Sequence, residues 1–134
     1  MRDGRTRNLR ESRGHVSFEQ FKQEFSAELI VVEGELAGAQ MAIEQAPLVI
    51  GRAKDADFTV EHDSLSRQHA VVEYAGGGYR VRDLGSTNGV NVGGRRVDAC
   101  DLEPGDRFCL GEITFQVVIE VREPEPFTYE LIVD

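Results

Sequence analysis

No apolar run in this chain approaches the roughly 20 residues that a membrane-crossing helix needs, and its N-terminus lacks the apolar stretch of a secretory signal. A cytoplasmic location is the expectation that follows. Cysteine is scarce: Cys100 and Cys109 are the only two, with no CxxC pair, so neither a disulfide framework nor a zinc knuckle is indicated. Both are expected as small, reduced, apolar side chains. Positive charge is in deficit as well. A formal net charge of -9 argues against a nucleic-acid binder, because neutralising phosphates along a strand needs a basic face. The chain also lacks the G-x-S-x-G elbow of a serine hydrolase, the G-x-G-x-x-G of a dinucleotide site and a Walker lysine. His62, Asp63 and His69 fit no zinc spacing. No catalysis, cofactor, metal, nucleic acid or membrane is expected.

What is present suggests a single domain with tails. A chain of 134 residues can bury a hydrophobic core without staples, and 14 glycines imply many tight turns, which leans toward β structure. Residues 1–14 hold five arginines against Asp3 and Glu11, a local +3 that leaves about -12 for the rest. They read as a polar tail. Within it Thr6, between Arg5 and Arg7, sits in a basic context that many kinases accept. Behind the tail, Phe18, Phe21 and Phe25 recur at helical spacing after a Ser17/Gln20 capping box, predicting a short helix with an aromatic packing face over 17–26. The expected organisation is a tail and helix over 1–26, a domain over 27–122, and an extension over 123–134. In that extension, residues 128–133 could form an edge strand or a linker.

From Ala27 onward, short apolar runs punctuated by Gly, Pro, Asn and Asp predict an all-β sandwich. Strands are expected near 28–33, 40–44, 48–51, 58–60, 69–74, 79–84, 90–92, 107–110 and 114–121, in antiparallel sheets. Turns are expected at Gly76-Gly77-Gly78, Gly93-Gly94 and Pro104-Gly105-Asp106. Functional residues of such a sandwich sit in the loops at one end.

Three of those loops share a chemistry: Gly51-Arg52, Ser66-Arg67-Gln68-His69 and Gly85-Ser86-Thr87-Asn88-Gly89. Each sets hydroxyl or amide side chains or a cation where glycines let backbone N–H groups approach a ligand. A phosphate monoester carries about -1.5 to -2 charge and three strong acceptor oxygens, so its site wants an arginine fork and several neutral donors. Arg52, Ser66, Arg67 and Thr87 are such donors. Asn88 both donates and accepts, and can pair with an extended peptide backbone.

These residues, in this order, resemble the forkhead-associated (FHA) domain from about Glu28 to Val121: its Gly-Arg at a strand end, its Ser-x-x-His and its Thr-Asn-Gly loop. The resemblance implies an eleven-stranded β-sandwich of the SMAD/FHA type that binds phosphothreonine peptides. Arg52 would contact the phosphate, Ser66 would hydrogen-bond one of its oxygens, and Arg67 would be a second basic neighbour. Thr87 would assist through side chain or backbone, and Asn88 would hold the peptide main chain. Gly51, His69 and Gly89 would be structural, His69 bracing the loops from behind. The partner implied is a phosphothreonine-containing protein, a Ser/Thr kinase or the substrate of one.

Plainer readings compete with these. Arginines are usually solvated or salt-bridged, short hydroxyls and amides cap turns everywhere, and a histidine opening an apolar strand is usually structural. The rival from another class is an FHA-like scaffold that assembles through a sheet face or the Phe18, Phe21, Phe25 stripe, indifferent to phosphorylation.

Overall fold

The capping box predicted at Ser17 is formed in the computed structural model, which describes residues 16–122. Ser17 Oγ accepts the Gln20 N–H at 3.1 Å, and Gln20 Oε1 accepts the Ser17 N–H at 3.1 Å. The helix, α1 (Phe18–Glu24), stops two residues sooner than its phenylalanine period suggests. Phe25 is already extended and opens the first strand, β1 (Phe25–Glu33), paired with Val121. The aromatic stripe packs as expected. Phe21 is buried, edge-on to Tyr79 at 5.5 Å and 4.8 Å from Phe25, while Phe18 covers Tyr74. Burial pushes the Tyr79 phenol above its ordinary range, with Tyr74 and Glu44 adding to the shift. Ser17→Ala should cost roughly 1 kcal/mol of stability, the usual loss for an N-cap, read as a lower melting temperature in circular dichroism.

After β1 come β2 (Gln40–Ala42), β3 (Leu48–Gly51), β4 (Phe58–Thr59), β5 (Ala70–Ala75) and β6 (Gly78–Asp83). The remaining strands are β7 (Val90–Val92), β8 (Arg95–Val97), β9 (Ala99–Leu102), β10 (Arg107–Leu110) and β11 (Ile113–Val121). They form a sandwich of two sheets, one of six strands in the order β2, β1, β11, β10, β7, β8, the other of five in the order β4, β3, β5, β6, β9. Leu29, Val31, Ile50, Val72, Val81, Phe108, Leu110 and Phe115 fill the space between them, with Phe108 and Phe115 stacked at 5.3 Å. This alternation of inward apolar residues is the signal from which most strands are legible.

Three expectations need correction. β8 and β9 are absent from the residue-level reading, because both are edge strands whose mostly exposed side chains erase the period-two pattern. The sheets are not wholly antiparallel, since β3 and β4 run parallel, Ile50 beside Phe58. In the β5–β6 hairpin only Gly76 and Gly77 take positive φ (65° and 83°), while Gly78 pairs with Ala75 inside the ladder. The arginine-rich tail with Thr6, and residues 128–133, lie outside the described residues. Among the described residues, no helix is long and apolar enough to cross a membrane, and Cys100 and Cys109, both partly buried, are in no disulfide.

Candidate functional site

The loop after β3, the β4–β5 loop, the β6–β7 loop and the tip of the β10–β11 hairpin meet at one end of the sandwich. The first joint is a backbone seam. Arg52 N–H donates to Ser66 O at 2.9 Å and Ala53 N–H to Arg67 O at 3.1 Å, so the loop after β3 runs against the Ser66-Arg67 segment. Gly51 is required by that closeness: a Cβ there would lie inside the Arg67 carbonyl oxygen and only 2.8 Å from its carbon. The same seam fixes Arg52. Its Nε donates to Leu65 O at 3.0 Å, and among the described residues neither terminal nitrogen makes a hydrogen bond. The side chain is exposed, and among the described residues neither Arg52 nor Arg67 is within ion-pair distance of a carboxylate.

The second joint links this seam to the β6–β7 loop. Thr87 N–H donates to Ser66 Oγ at 3.0 Å. The amide occupies a lone pair of the hydroxyl, and among the described residues the Ser66 hydroxyl hydrogen meets no acceptor. Ser66 therefore presents an unused donor, side by side with an arginine. Beneath it lies His69, wholly buried. Its Nδ1 accepts the Ser66 N–H at 3.1 Å and its Nε2 donates to Gly89 O at 2.8 Å. An amide can only donate and a carbonyl only accept, so these two partners fix the ring as the neutral Nε2–H tautomer.

The Gly85–Gly89 loop is shaped locally. The Asp83 carboxylate accepts the amides of Gly85 and Ser86, and Ser86 Oγ donates to Asp83 Oδ1 while accepting the Gly89 N–H. Gly89 has φ +79°, and a Cβ there would stand 2.7 Å from the Arg96 guanidinium carbon. Arg96, on β8, donates to Ser86 O at 3.3 Å and covers the loop from outside. Thr87 and Asn88 are left exposed at the tip.

Of the residues expected to act together, Arg52, Ser66 and Thr87 are joined directly by these bonds, with His69, Gly51 and Gly89 behind them. Arg67 shares with Arg52 a cleft of about 570 Å³ that Ser66, Thr87 and Asn88 do not line. Lys54 adds a third cation to the cleft, and Asp55, Glu61 and Asp63 add three carboxylates. Asn88 turns instead toward the β4–β5 loop, donating from Nδ2 to Ser64 O at 2.8 Å. Lys54, Ser64 and Arg96 escape the sequence reading, and Ser86 enters it only as part of its loop, with no role of its own. Asp83 and Ser86 have a local signal, an acid three residues before a serine in a glycine-rich turn. The other three have none, since what matters is the distant segment each one faces.

Comparison with known proteins agrees with the geometry. The family model of the FHA domain matches residues 48–111. The chain is 36% identical over 87 residues to the glycogen accumulation regulator GarA of Mycolicibacterium smegmatis, covering 65% of this chain and 55% of GarA. It is 34% identical over 111 residues to the FHA domain-containing protein FhaB of the same organism, covering 82% of this chain and 69% of FhaB. The chain thus spans about half the length of GarA and about two thirds of FhaB. A solved structure from a study of phosphothreonine-dependent FHA domain interactions superposes with a TM-score of 0.63 at 29% identity, covering 75% of this chain and 99% of that one.

Proposed function

The chain belongs to the FHA domain family, and from that premise we propose that it is a phosphothreonine-dependent protein–protein interaction module, an adaptor in Ser/Thr kinase signalling that catalyses nothing and acts in the cytoplasm. The observation that carries this reading is the state of Ser66: its oxygen is held by the Thr87 amide, its proton is unspent, and Arg52 is anchored beside it without a carboxylate partner. Such a group of donors in a chain of net charge -9 suits one doubly charged ester rather than a polyanion. In this reading Arg52 and Ser66 bind the phosphate, Arg67 adds a second cation, Thr87 contributes its hydroxyl, and Asn88 reads the peptide main chain. Gly51, His69 and Gly89 hold the loops in place. Both His69 nitrogens are engaged by backbone groups, which leaves that ring nothing with which to move a proton.

The interaction domain spans 27–122, with the segment before it as an annex whose Phe21 joins the same core. The partner is a phosphothreonine-bearing segment of a kinase or of its substrate. The scaffold reading gains no support from the sheet faces, because Val121 is the one large hydrophobic side chain left exposed among the described residues.

Isothermal titration with phosphorylated and unphosphorylated versions of one peptide, selected from a degenerate phosphothreonine library, tests the proposal. Two charge-assisted bonds at roughly 1.5 kcal/mol each put the expected preference on the order of a hundredfold. Equal affinity for the two peptides would remove phosphate from the recognition.

A further inference from the structure

Ser64 is two residues ahead of the phosphate-site serine, and every polar group it owns is already in use. Its amide donates to His62 Nδ1 at 3.1 Å, so that nitrogen carries a lone pair, and the Ser64 hydroxyl, 2.9 Å away, must donate to it as well. The same hydroxyl oxygen accepts the Glu112 N–H at 2.9 Å, from the tip of the β10–β11 hairpin. The Ser64 carbonyl accepts Asn88 Nδ2 at 2.8 Å, from the β6–β7 loop. Gly111 lets the hairpin tip come this close, since a Cβ there would be 2.5 Å from both Ser64 oxygens.

A serine, an imidazole and a carboxylate stand here in the order of a hydrolase, His62 Nε2 being 3.9 Å from Glu112. The hydroxyl, however, is pinned by an incoming amide on one side and by a nitrogen that already serves its own backbone on the other. Nothing is left on Ser64 to meet a ligand. Its remaining consequence is for Asn88. One N–H is committed to Ser64 O, which tethers the carboxamide there, while its Oδ1 and second N–H make no bond among the described residues. An acceptor and a donor left over on a tethered amide are what an extended main chain can pair with.

We infer that Ser64 is a positioning residue for peptide recognition: it locks the β4–β5 loop to the β10–β11 hairpin so that its carbonyl orients Asn88 toward the peptide backbone. The inference rests on the phosphothreonine-peptide reading of the same site. It adds that main-chain recognition depends on a contact outside the phosphate donors, one that joins segments 24 and 48 residues apart in sequence.

The test is a double-mutant cycle read by isothermal titration with the library-selected phosphothreonine peptide, on wild type, Ser64→Ala, Asn88→Ala and the double variant, each checked for folding by its thermal transition. Asn88→Ala should weaken binding about tenfold, Ser64→Ala by a comparable factor, and the double variant by no more than about twofold beyond Asn88→Ala, because residues acting as one unit are not additive. Ser64→Thr, which keeps the oxygen, should restore wild-type affinity. If Ser64→Ala does not fold, Ser64→Cys replaces it in the same cycle, keeping the volume while weakening the acceptor. A Ser64→Ala protein, or Ser64→Cys where it stands in, that binds within twofold of wild type overturns the inference. So do losses that multiply independently in the double variant. Failure of the phosphothreonine reading looks different, since wild type itself would then not distinguish the phosphorylated from the unphosphorylated peptide.

Discussion

Arg52→Ala is expected to weaken phosphopeptide binding by roughly 2 to 5 kcal/mol, about thirtyfold to several thousandfold, while leaving the fold intact. The size follows from how the side chain is held. Nε is tied to Leu65 O, so the guanidinium is oriented before a ligand arrives and its terminal nitrogens form a fork with little rotamer freedom left to lose. The fold should tolerate the change because the side chain is exposed and the only bond of that side chain among the described residues is the part-buried one to Leu65 O; a shift within about 1 kcal/mol in urea unfolding is the expectation. Arg52→Lys separates charge from geometry. It keeps the cation but lacks both the fork and the Nε anchor, and should fall between wild type and alanine. Titration of the three proteins with one phosphothreonine peptide decides the matter. A loss under twofold for Arg52→Ala would take this residue out of the site.

How much of this was legible in the sequence depends on how far apart the interacting groups lie. The helix start was readable because Ser17 and Gln20 are three residues apart and exchange bonds with each other. Its end was not, because Phe25 continues the helical period while its backbone already belongs to the ladder with Val121. Central strands announce themselves by burying apolar residues, whereas β8 and β9, each the edge of a different sheet, bury only Leu102 between them and carry no alternation. The same distance rule applies to the site. Arg52, Ser66, Thr87 and Asn88 can be picked out by residue type beside a glycine or a strand end, aided by a family pattern. What joins them cannot: the Thr87 amide on Ser66, the Asn88 amide on the Ser64 carbonyl and the Arg96 guanidinium over Gly89 are long-range contacts with no local mark. The direction of Asn88 is the clearest instance, for nothing in Thr87-Asn88-Gly89 says which loop its amide nitrogen will meet.

His69→Ala should be the most damaging single change to stability among the site residues, by roughly 3 to 5 kcal/mol, a fifth or more of the roughly 5 to 15 kcal/mol that a folded domain usually has. The imidazole is wholly buried and bridges two backbone groups that have no other partner among the described bonds, the Ser66 amide and the Gly89 carbonyl. Removing it leaves a part-buried donor and a buried acceptor unsatisfied at about 1 to 3 kcal/mol each, and adds a cavity where the ring was. The two orphans belong to different loops, so the damage reaches function. Ser66 loses the support of its amide and Gly89 the anchor of its carbonyl, and Thr87, whose amide holds Ser66 Oγ, lies between them. Binding should therefore fall even at temperatures where the variant is fully folded, unlike Arg52→Ala, where binding falls and stability does not. Urea unfolding and phosphopeptide titration on the two variants side by side measure that contrast. A His69→Ala protein within 1 kcal/mol of wild type would mean that the ring does not hold the loops together.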